Sequence, residues 1–393
     1  MEIDALIPSA TRNSRARPVA IGNVLIGGAV VPVISGPCAV EPNYVAHARA
    51  AADAGASILR GCVHKPRTQP EAFQGMGGAG LELLDEARRV TGLPIIAEPL
   101  DAEQVTQLVA HVDGLMIGAR SMHNTPLLRA AGRSGLPVIV KRSMSATFDE
   151  WLAAARYVLL ENCDQVVLCE RGIRTFETAT RNTLDLSAIP VLRERTDLPV
   201  IVDPSHAAGR SSWVPALAMA AVAAGADGLL VECHPDPASA LCDAAQAISP
   251  LTLAEIVRAT ELLATTARPS SAATLEECRT AIDSVDSGLA RLLERRATLV
   301  ALIERVKLDA GVPIRDRRRE AEVTARVARL APQLGCSGAT AVMTAVIDAC
   351  VATALASSCQ RTARQAPRFV GTLADAAPMP CSVSAFDPGY HAR

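Results

Sequence analysis

Four residues that could bind a divalent metal ion are spread over the first two thirds of the chain. They are one thiol, one imidazole and two carboxylates: Cys38, His206, Glu232 and Asp243. They lie at or shortly after short apolar runs, where strands would end. A mixed set of sulfur, nitrogen and oxygen ligands favours a borderline ion such as Mn, Fe, Co or Zn over Mg. We therefore expect a metal site here, with the identity of the ion left open.

A hydrolytic triad that includes His206 is a less favoured interpretation, and two further cysteines near strand ends are not counted as ligands. Asp203-Pro204-Ser205-His206 contains the three residue types of a hydrolytic triad. A triad, however, brings together residues from separate parts of a fold rather than from one tetrapeptide. Cys169 and Cys233 lie inside or beside apolar runs and are expected to be ordinary buried cysteines.

Cationic residues cluster at the same kind of position. Eight of them lie at or just beyond apolar runs: Arg60, Lys65, Arg67, Arg120, Lys141, Arg142, Arg171 and Arg174. The whole chain has a net charge of −2, so this concentration is not a general basic surface. Like charges in one cleft repel each other unless an anion neutralises them, and arginine binds phosphate or carboxylate through a bidentate fork. The pattern predicts two phosphorylated substrates, or one phosphate and a carboxylate.

The elements that would position these residues repeat along the chain. Between Val30 and His234, eight short apolar runs each end in a charged or metal-binding residue, and Ala-rich stretches separate them. Continuous hydrophobicity is typical of parallel strands that are covered on both faces. Eight such units predict a (β/α)₈ TIM barrel, whose chemistry lies at the C-terminal ends of its strands.

The rest of the chain divides into a small helical region and less regular segments. We expect a β-hairpin from 21–25 and 30–35 around Gly27-Gly28, leading into the barrel. A helical period returns after a Pro/Ser-rich stretch and predicts a three-helix all-α domain, too thin to bury much alone, so that association is expected. The predicted boundaries are a flexible tail at 1–17, the barrel at 18–264, a linker at 265–274, the helical domain at 275–360 and a disordered tail at 361–393.

Composition excludes several classes of protein. The small net charge gives no reason to expect nucleic acid or a membrane as a partner. No unbroken apolar run has the ~18 residues of a transmembrane helix, so none is expected. The N-terminus lacks the apolar core of a secretory signal. The eleven cysteines form no CxxC pair, which favours a reducing cytoplasm over a disulfide framework.

The residues between 19 and 260 resemble those of 3-deoxy-D-arabino-heptulosonate 7-phosphate (DAHP) synthase of the short bacterial subtype, the first enzyme of the shikimate pathway. The matching segments are Gly36-Pro-Cys-Ala-Val-Glu41, Lys65-Pro-Arg-Thr68, Phe73-Gln-Gly75, Ile117-Gly-Ala-Arg120, Lys141-Arg-Ser-Met-Ser-Ala146, Cys169-Glu-Arg-Gly-Ile-Arg-Thr175, Asp203-Pro-Ser-His206 and Val231-Glu-Cys-His-Pro-Asp-Pro237. The related 3-deoxy-manno-octulosonate 8-phosphate synthase shares the fold but has a different element at 65–68. That tetrapeptide therefore favours a four-carbon aldose phosphate.

The resemblance implies a role for each site residue. The metal ligands would be Cys38, His206, Glu232 and Asp243. Phosphoenolpyruvate would be bound by Arg60, Lys65, Arg120, Lys141 and Arg171. Erythrose 4-phosphate would be bound by Arg67 and Thr68, and Lys141 and Glu98 would be the candidates for proton transfer. Gly61-Cys62-Val63-His64 and Pro99 depart from the family pattern. Neutral repacking is the favoured explanation, and altered aldehyde specificity leaves open another aldose phosphate in a specialised pathway.

Residues 275–360 resemble the all-helical chorismate mutase. The residues at family spacing are Arg279, Arg296, Lys307, Asp316, Arg319 and Glu320. Arg296 and Lys307 are three helical turns apart and therefore face the same way. By this resemblance the cations would bind the carboxylates of chorismate or prephenate, and the protein would form a homodimer or homotetramer.

The third predicted helix departs from that pattern. Ala354 stands where the family has a Gln or Glu that contacts the ether oxygen, and Cys350 stands where Ser is common. Loss of one such donor can cost about 10²–10³ in rate. Three alternatives follow: a weak mutase, a non-catalytic module that regulates the barrel and dimerises, or a fully bifunctional enzyme.

Overall fold

The computed structural model describes residues 16–67, 69–267 and 275–365. Thr68, most of the predicted N-terminal tail and linker, and nearly all of the predicted C-terminal tail lie outside the described residues. Within them the chain divides between Ala290 and Arg291 into two compact units, which are described separately below.

The first unit contains a closed barrel of eight parallel strands, as predicted. The strands are β3 (Val33–Gly36), β4 (Ile58–Arg60), β5 (Ile95–Ala97), β6 (Gly114–Ile117), β7 (Val138–Lys141), β8 (Val166–Glu170), β9 (Val200–Val202) and β10 (Gly228–Glu232). Each pairs with the next along the chain, and β10 closes the ring on β3. All residues of these strands are buried, which accounts for their uninterrupted apolar sequence.

Alternate strand residues face opposite sides of the barrel wall. Ile34, Ile58 and Ile139 belong to a cluster that fills the interior, whereas Leu59 and Val138 pack outward in the cluster that also contains the surrounding helices. Branched side chains suit this pleated surface and fill the barrel. The interior is therefore a packed core, and the polar residues are left for the strand ends.

The N-terminal hairpin exists, but its position differs from the prediction. Strands β1 (Val19–Ile21) and β2 (Val24–Ile26) pair antiparallel, and Gly22-Asn23 forms the turn. Gly22 has a φ of +57°, a conformation that glycine adopts readily. The prediction placed the turn at Gly27-Gly28 because two longer apolar runs flank that pair. The second of those runs is the first barrel strand, and Ile21 and Ile26 of the hairpin pack into the interior cluster.

Helices separate the strands and surround the barrel. They are α1 (Tyr44–Asp53), α2 (Gly78–Thr91), α3 (Ala102–Leu108), α4 (Thr125–Arg133), α5 (Phe148–Leu159), α6 (Ala188–Arg195), α7 (Pro204–Ala208), α8 (Val214–Ala223) and α9 (Pro250–Ala267). Several begin at side-chain caps. Asp101 accepts from the backbone of Gln104, and Thr147 and Glu150 form a capping box.

Three further helices follow, as predicted: α10 (Leu275–Asp309), α11 (Arg317–Leu330) and α12 (Gly335–Gln365). The predicted break at Gly311-Val312-Pro313 is confirmed, and α12 is longer than the predicted 339–357. Ala339, Ile347, Cys350 and Ala354 form the buried face of α12.

Much of the apolar surface of α10 is exposed to solvent. The large side chains exposed by 41–59% include Ile282, Leu289, Leu292, Leu293, Leu299, Leu302 and Ile303. These residues are the ones whose spacing predicted the helix. The apolar face that they form is not covered by any other described part of the chain.

The expectation that no segment is long and apolar enough to cross a membrane is wrong for one helix. Pro332–Ala356 satisfies that criterion by length and composition. The sequence analysis counted unbroken apolar runs, and this segment is interrupted by small residues such as Gly, Ser and Thr and by a single acid, Asp348.

Candidate active site

The four predicted metal ligands converge at the C-terminal end of the barrel. Their ligand atoms all lie within 4.8 Å of one another. Cys38 Sγ is 3.0 Å from Asp243 Oδ2. His206 Nε2 is 3.4 Å from Glu232 Oε1 and 3.8 Å from Asp243 Oδ2. A thiol, an imidazole and two carboxylates facing one point are a ligand set that fits a borderline divalent ion.

Local structure directs each of these side chains inward. Glu232 ends β10, and Cys38 lies in the loop that follows β3. His206 lies in α7, whose N-cap Asp203 accepts from the His206 backbone N–H. Asp243 has a φ of 54°, an uncommon conformation for a residue with a side chain. Such strain is found at functional sites more often than elsewhere, which agrees with a role for Asp243.

The protonation states also suit a bound cation. Burial lowers the pKa of His206 below its usual value, so the imidazole is neutral at neutral pH. Burial opposes ionisation of Asp243, but His206 and the Cys38 thiol outweigh it and lower the pKa of that carboxyl. Burial raises the pKa of the Cys38 thiol well above its usual value. A divalent ion would supply the positive charge that a Cys38 thiolate needs.

Arg60 lies beneath this group rather than in the open cavity. It is fully buried, and its Nη1 is 2.5 Å from Glu232 Oε1 while its Nη2 is 3.5 Å from Cys38 Sγ. The geometry gives Arg60 a partner within the candidate metal site, and its predicted contact with phosphoenolpyruvate stays a prediction.

A cavity of about 360 Å³ opens above the candidate metal site. It is lined by most of the predicted residues: Lys65, Arg67, Glu98, Arg120, Lys141, Arg171, His206 and Asp243. Arg174 also lines it. The barrel therefore brings together cations that are more than a hundred residues apart in the sequence.

Two of the cavity's lysines are held by buried carboxylates. Lys65 Nζ lies 3.5 Å from Glu98 Oε2, and Lys141 Nζ lies 2.7 Å from Asp203 Oδ2. Burial opposes ionisation of Glu98, but Lys65 and Lys141 outweigh it and lower the pKa of that carboxyl. A Cβ atom at Gly118 would lie 1.9 Å from Glu98 Oε1, so glycine is needed there to leave room for Glu98.

Arg171 differs from these lysines because part of its guanidinium has no partner. Only 5% of the residue is exposed, and among the described residues nothing accepts a hydrogen bond from its buried Nη1. Burial lowers the pKa of Arg171. An unsatisfied buried donor costs about 1–3 kcal/mol, so its presence in a cavity points to an anionic ligand that would accept from it.

Arg142, the neighbour of Lys141, has a different environment. Its Nη1 is 3.0 Å from Glu170 Oε2 and 2.8 Å from Asp185 Oδ2, and its guanidinium lies over the ring of Phe148. It does not line the cavity. Its inclusion among the anion-binding cations was therefore wrong: β7 ends at Lys141, and the side chain of the next residue, Arg142, packs on Phe148 instead of lining the cavity.

Sequence reasoning assigned no site role to four residues that the structure places there. Asp203 Oδ2 lies 2.7 Å from His206 Nδ1, an outer partner of the kind that orients metal-binding histidines. Arg181 and Cys242 line the cavity, and Cys242 Sγ is 2.5 Å from Arg67 Nη1. Gln246 Nε2 donates to Glu232. Arg181 follows β8 and Cys242 precedes Asp243, but neither adjoins an apolar run, which was the signal used.

A second group of possible ligands lies nearby, at Glu41, His47 and His234. His234 Nδ1 accepts from the backbone N–H of Asp236 at 3.0 Å, so its proton is on Nε2. That Nε2 donates to Glu41 Oε2 at 3.3 Å, and Glu41 Oε1 accepts from the backbone of Leu241. Both His234 nitrogens are therefore engaged in hydrogen bonds that hold the loop before Asp243. Because of this, the group is less suited to binding an ion than the set that contains Cys38.

The predicted chorismate-binding cations of the second unit are arranged differently. Lys307 Nζ donates to Ile314 O at 2.8 Å, and Arg296 Nη1 lies 3.4 Å from Val346 O. Arg319 Nη1 lies 3.1 Å from Glu322 Oε2 on the exposed face of α11. Each therefore contacts groups of its own unit.

The remaining predicted residues of the helical region are also on the surface or already paired. Asp316 caps α11 by accepting from the Arg319 backbone, and Glu320 pairs with Arg315 at 2.9 Å. Arg279 belongs to the first unit, where its side chain is 64% exposed. Ala354 is 2% exposed and offers no hydrogen-bonding side chain where the mutase pattern has one.

Comparison with known families identifies two regions of the chain. The model of the DAHP synthetase I family matches residues 10–266. The model of chorismate mutase type II matches residues 278–354. The helix that passes the membrane criterion overlaps the second match and is therefore part of the helical region that matches this family.

Individual relatives agree with the first match. A phospho-2-dehydro-3-deoxyheptonate aldolase of Thermotoga maritima is 42% identical over 246 residues, covering 62% of this chain and 73% of its own. A 2-dehydro-3-deoxyphosphooctonate aldolase of Syntrophotalea carbinolica is 37% identical over 250 residues, covering 58% and 89%. The crystal structure of the Thermotoga maritima DAHP synthase superposes with a TM-score of 0.64 at 39% identity, covering 68% of this chain and 78% of that one.

Proposed function

Because the chain belongs to the DAHP synthetase I family and carries a chorismate mutase type II domain, we propose that its barrel condenses phosphoenolpyruvate with erythrose 4-phosphate. The products would be DAHP and inorganic phosphate. The observation that carries the proposal is the cavity at the barrel's C-terminal end, lined by cations that include Arg171 with its unpartnered Nη1.

The cavity's charges support two anionic substrates. Among the described residues, Arg120 Nη1 donates only to the backbone oxygen of Pro66, and Arg67 Nη1 contacts only the sulfur of Cys242. Neither contact neutralises a guanidinium. Together with Arg171 these side chains leave positive charge for phosphate and carboxylate groups, which arginine binds in a bidentate manner. Thr68, predicted to bind the aldose phosphate, adjoins Arg67 in sequence.

The chain's own residues would orient the reactants and handle protons. Carbon 3 of phosphoenolpyruvate attacks the aldehyde carbon, water adds at carbon 2 and phosphate leaves. Lys65, Lys141 and Arg171 would fix phosphoenolpyruvate, so that the reacting carbons meet without the entropy cost of a free encounter. Glu98, ionised beside Lys65, and Lys141, held by Asp203, are the residues in reach for proton transfer.

We assign the ion-binding role to Cys38, His206, Glu232 and Asp243, whose mixed donors and short mutual distances suit Mn, Fe, Co or Zn. A bound ion would act as a Lewis acid that polarises the aldehyde oxygen.

The alternative substrate is a longer aldose phosphate. The relatives named as 2-dehydro-3-deoxyphosphooctonate aldolases share the fold-forming region at 30–37% identity. The Lys65-Pro66-Arg67-Thr68 element and the higher identity to the heptonate aldolase favour erythrose 4-phosphate.

For the helical region we propose binding of chorismate or prephenate with weak mutase activity, or regulation of the barrel. Retained cations at Arg296 and Lys307 favour binding. The apolar side chain at Ala354 argues against fast turnover, since it offers no donor to the ether oxygen. We further propose a cytoplasmic homodimer or homotetramer, in which a second copy covers the exposed apolar face of α10.

Assays of the purified full-length protein would test the barrel proposal. Phosphoenolpyruvate would be supplied with either erythrose 4-phosphate or arabinose 5-phosphate, before and after EDTA treatment, and with each metal restored. We expect phosphate release with erythrose 4-phosphate, loss of activity with EDTA and recovery with a divalent transition metal. Preference for arabinose 5-phosphate would contradict the substrate assignment. Full activity in metal-stripped protein would contradict the metal assignment.

A further inference from the structure

Two residues that have no role in the proposed reaction link the two carboxylates of the ligand set through hydrogen bonds. Gln246 Nε2 donates to Glu232 Oε2 at 2.7 Å. Gln246 Oε1 accepts from Arg181 Nη1, also at 2.7 Å. The same Nη1 lies 3.2 Å from Asp243 Oδ1. A continuous chain of hydrogen bonds therefore runs from one carboxylate to the other.

The chemistry of the end groups determines which atoms donate and which accept in this series of hydrogen bonds. An ionised carboxylate only accepts hydrogen bonds and a guanidinium only donates them. The Gln246 amide must therefore present its nitrogen to Glu232 and its oxygen to Arg181. Gln246 is 2% exposed, so exchange of these partners for water would require the site to open. A satisfied buried amide of this kind holds a single orientation.

The hydrogen bonds also select which carboxylate oxygens face the ligand cluster. Oε2 of Glu232 accepts from Gln246, whereas Oε1 accepts from Arg60 Nη1 at 2.5 Å and lies 3.4 Å from His206 Nε2. Oδ1 of Asp243 is taken by Arg181, which leaves Oδ2, 3.0 Å from Cys38 Sγ. Gln246 and Arg181 thus each hold the carboxylate oxygen that is not the one beside the imidazole or the thiol, and Arg60 also holds Glu232 through its other oxygen.

We propose that Gln246 and Arg181 are positioning residues that hold Glu232 and Asp243 in the orientation that binds the metal ion. This inference rests on the metal site of the proposed function. Gln246 ends the short 3₁₀ turn Ala244–Gln246, which begins directly after Asp243. The same short segment therefore carries the ligand Asp243 and the residue that holds the other carboxylate ligand, Glu232. Arg181 also lines the substrate cavity, where its side chain is 37% exposed. It connects the cavity wall to the ligand set.

The decisive variant is Gln246→Met, which keeps the length of the side chain and removes both hydrogen bonds. Partners of metal ligands typically contribute about 10–100-fold to metal affinity. We expect Mn²⁺ to bind metal-free full-length Q246M about 10–100-fold more weakly than wild type, as measured by titration calorimetry. The visible spectrum of the Co²⁺-loaded protein should change as well. Saturating metal should restore most of kcat, because Gln246 is not among the residues that line the substrate cavity.

Two further variants complete the experiment. Gln165→Met makes the same chemical change at a residue that accepts from Ala20 N in the hairpin, and it should leave Mn²⁺ affinity unchanged. Arg181→Met alters a partly exposed side chain and should weaken Mn²⁺ binding less than Q246M, since Gln246 keeps its bond to Glu232. R181M gives the answer if Q246M does not fold.

Unchanged Mn²⁺ affinity in either folded variant, with normal binding by wild type, would overturn the positioning role and leave the proposed function standing. If wild-type protein bound no divalent ion and was active without one, both would be wrong.

Discussion

The two predicted sites of this protein contrast in how they hold charge. At the barrel's C-terminal end, Lys141 and Glu232 have side chains 4% and 1% exposed and are in contact with fixed partners. In the helical region, Arg319 is 56% exposed and pairs with a glutamate three residues away on its own helix. The charges of the barrel site are preorganised for a ligand. The other set is at the surface.

The difference follows from the two architectures. Eight parallel strands bring their carboxyl ends to one edge, so residues 205 positions apart, such as Cys38 and Asp243, come into contact. Three helices bury little surface, and the apolar face of α10 stays exposed. We infer that the barrel site is complete within one chain, whereas the helical region needs a second copy to bury its surface.

Removal of a metal ligand should have the largest effect. Cys38→Ser replaces a soft thiolate donor and should eliminate tightly bound transition metal together with nearly all condensation activity. Metal analysis and the rate of phosphate release measure the two effects. Cys163→Ser changes a buried cysteine away from the cavity and should keep both. Full metal content in C38S would mean that the ion binds elsewhere.

Two neighbouring strand-end arginines should separate function from stability. Arg171→Met removes a partly unsatisfied cavity donor and should lower turnover about 10²–10³-fold with little loss of stability. Arg142→Met leaves Glu170 and Asp185 without their partner and should reduce the free energy of unfolding by about 3–5 kcal/mol. Steady-state kinetics and denaturant unfolding of both variants measure this contrast. A destabilised R171M with normal kinetics would place Arg171 among the structural arginines.

Charge introduced on α10 should break association. The double variant Leu299→Glu with Ile303→Glu puts two carboxylates on the exposed apolar face. Each buried leucine or isoleucine contributes about 1.5–3 kcal/mol, so the proposed dimer should weaken at least about 100-fold. Sedimentation velocity over a dilution series measures this. Arg295→Glu gives the same change in net charge on an exposed position and should have little effect. Equal effects from both would indicate general repulsion.

The smallest effect is expected at Ala354. Ala354→Gln should raise chorismate turnover by about tenfold or more, a part of what one such donor contributes, without much tighter binding. The change in kcat and the dissociation constant of prephenate would be compared. Ala352→Gln adds the same side chain on the exposed face and should leave kcat unchanged. Fast turnover by wild type would show that another residue supplies the donor.

The sequence predicted most of the fold because each strand is a short buried apolar run and parallel strands leave a distinctive pattern. The hairpin turn was misplaced by about five residues, since Val30–Ser35 is as apolar as a hairpin strand but belongs to the barrel. The exposure of α10 could not be predicted, because periodicity gives the apolar face of a helix and not what covers it.

The site was predictable where a residue ends a strand. Glu232 and Lys141 are of this kind. Arg142 was grouped with them because the sequence does not tell which of two consecutive residues faces the cavity. Gln246 and Arg181 were missed because their loops have no regular pattern, and their partners are determined only when the barrel closes.

Anomalous X-ray diffraction from manganese-loaded crystals would locate the ion directly. We predict one strong peak at the C-terminal end of the barrel, within coordination distance of Cys38, His206, Glu232 and Asp243. The same preparation should catalyse the condensation of phosphoenolpyruvate with erythrose 4-phosphate. A peak between Glu41, His47 and His234 instead, or no peak in fully active protein, would contradict the assignment of the barrel site.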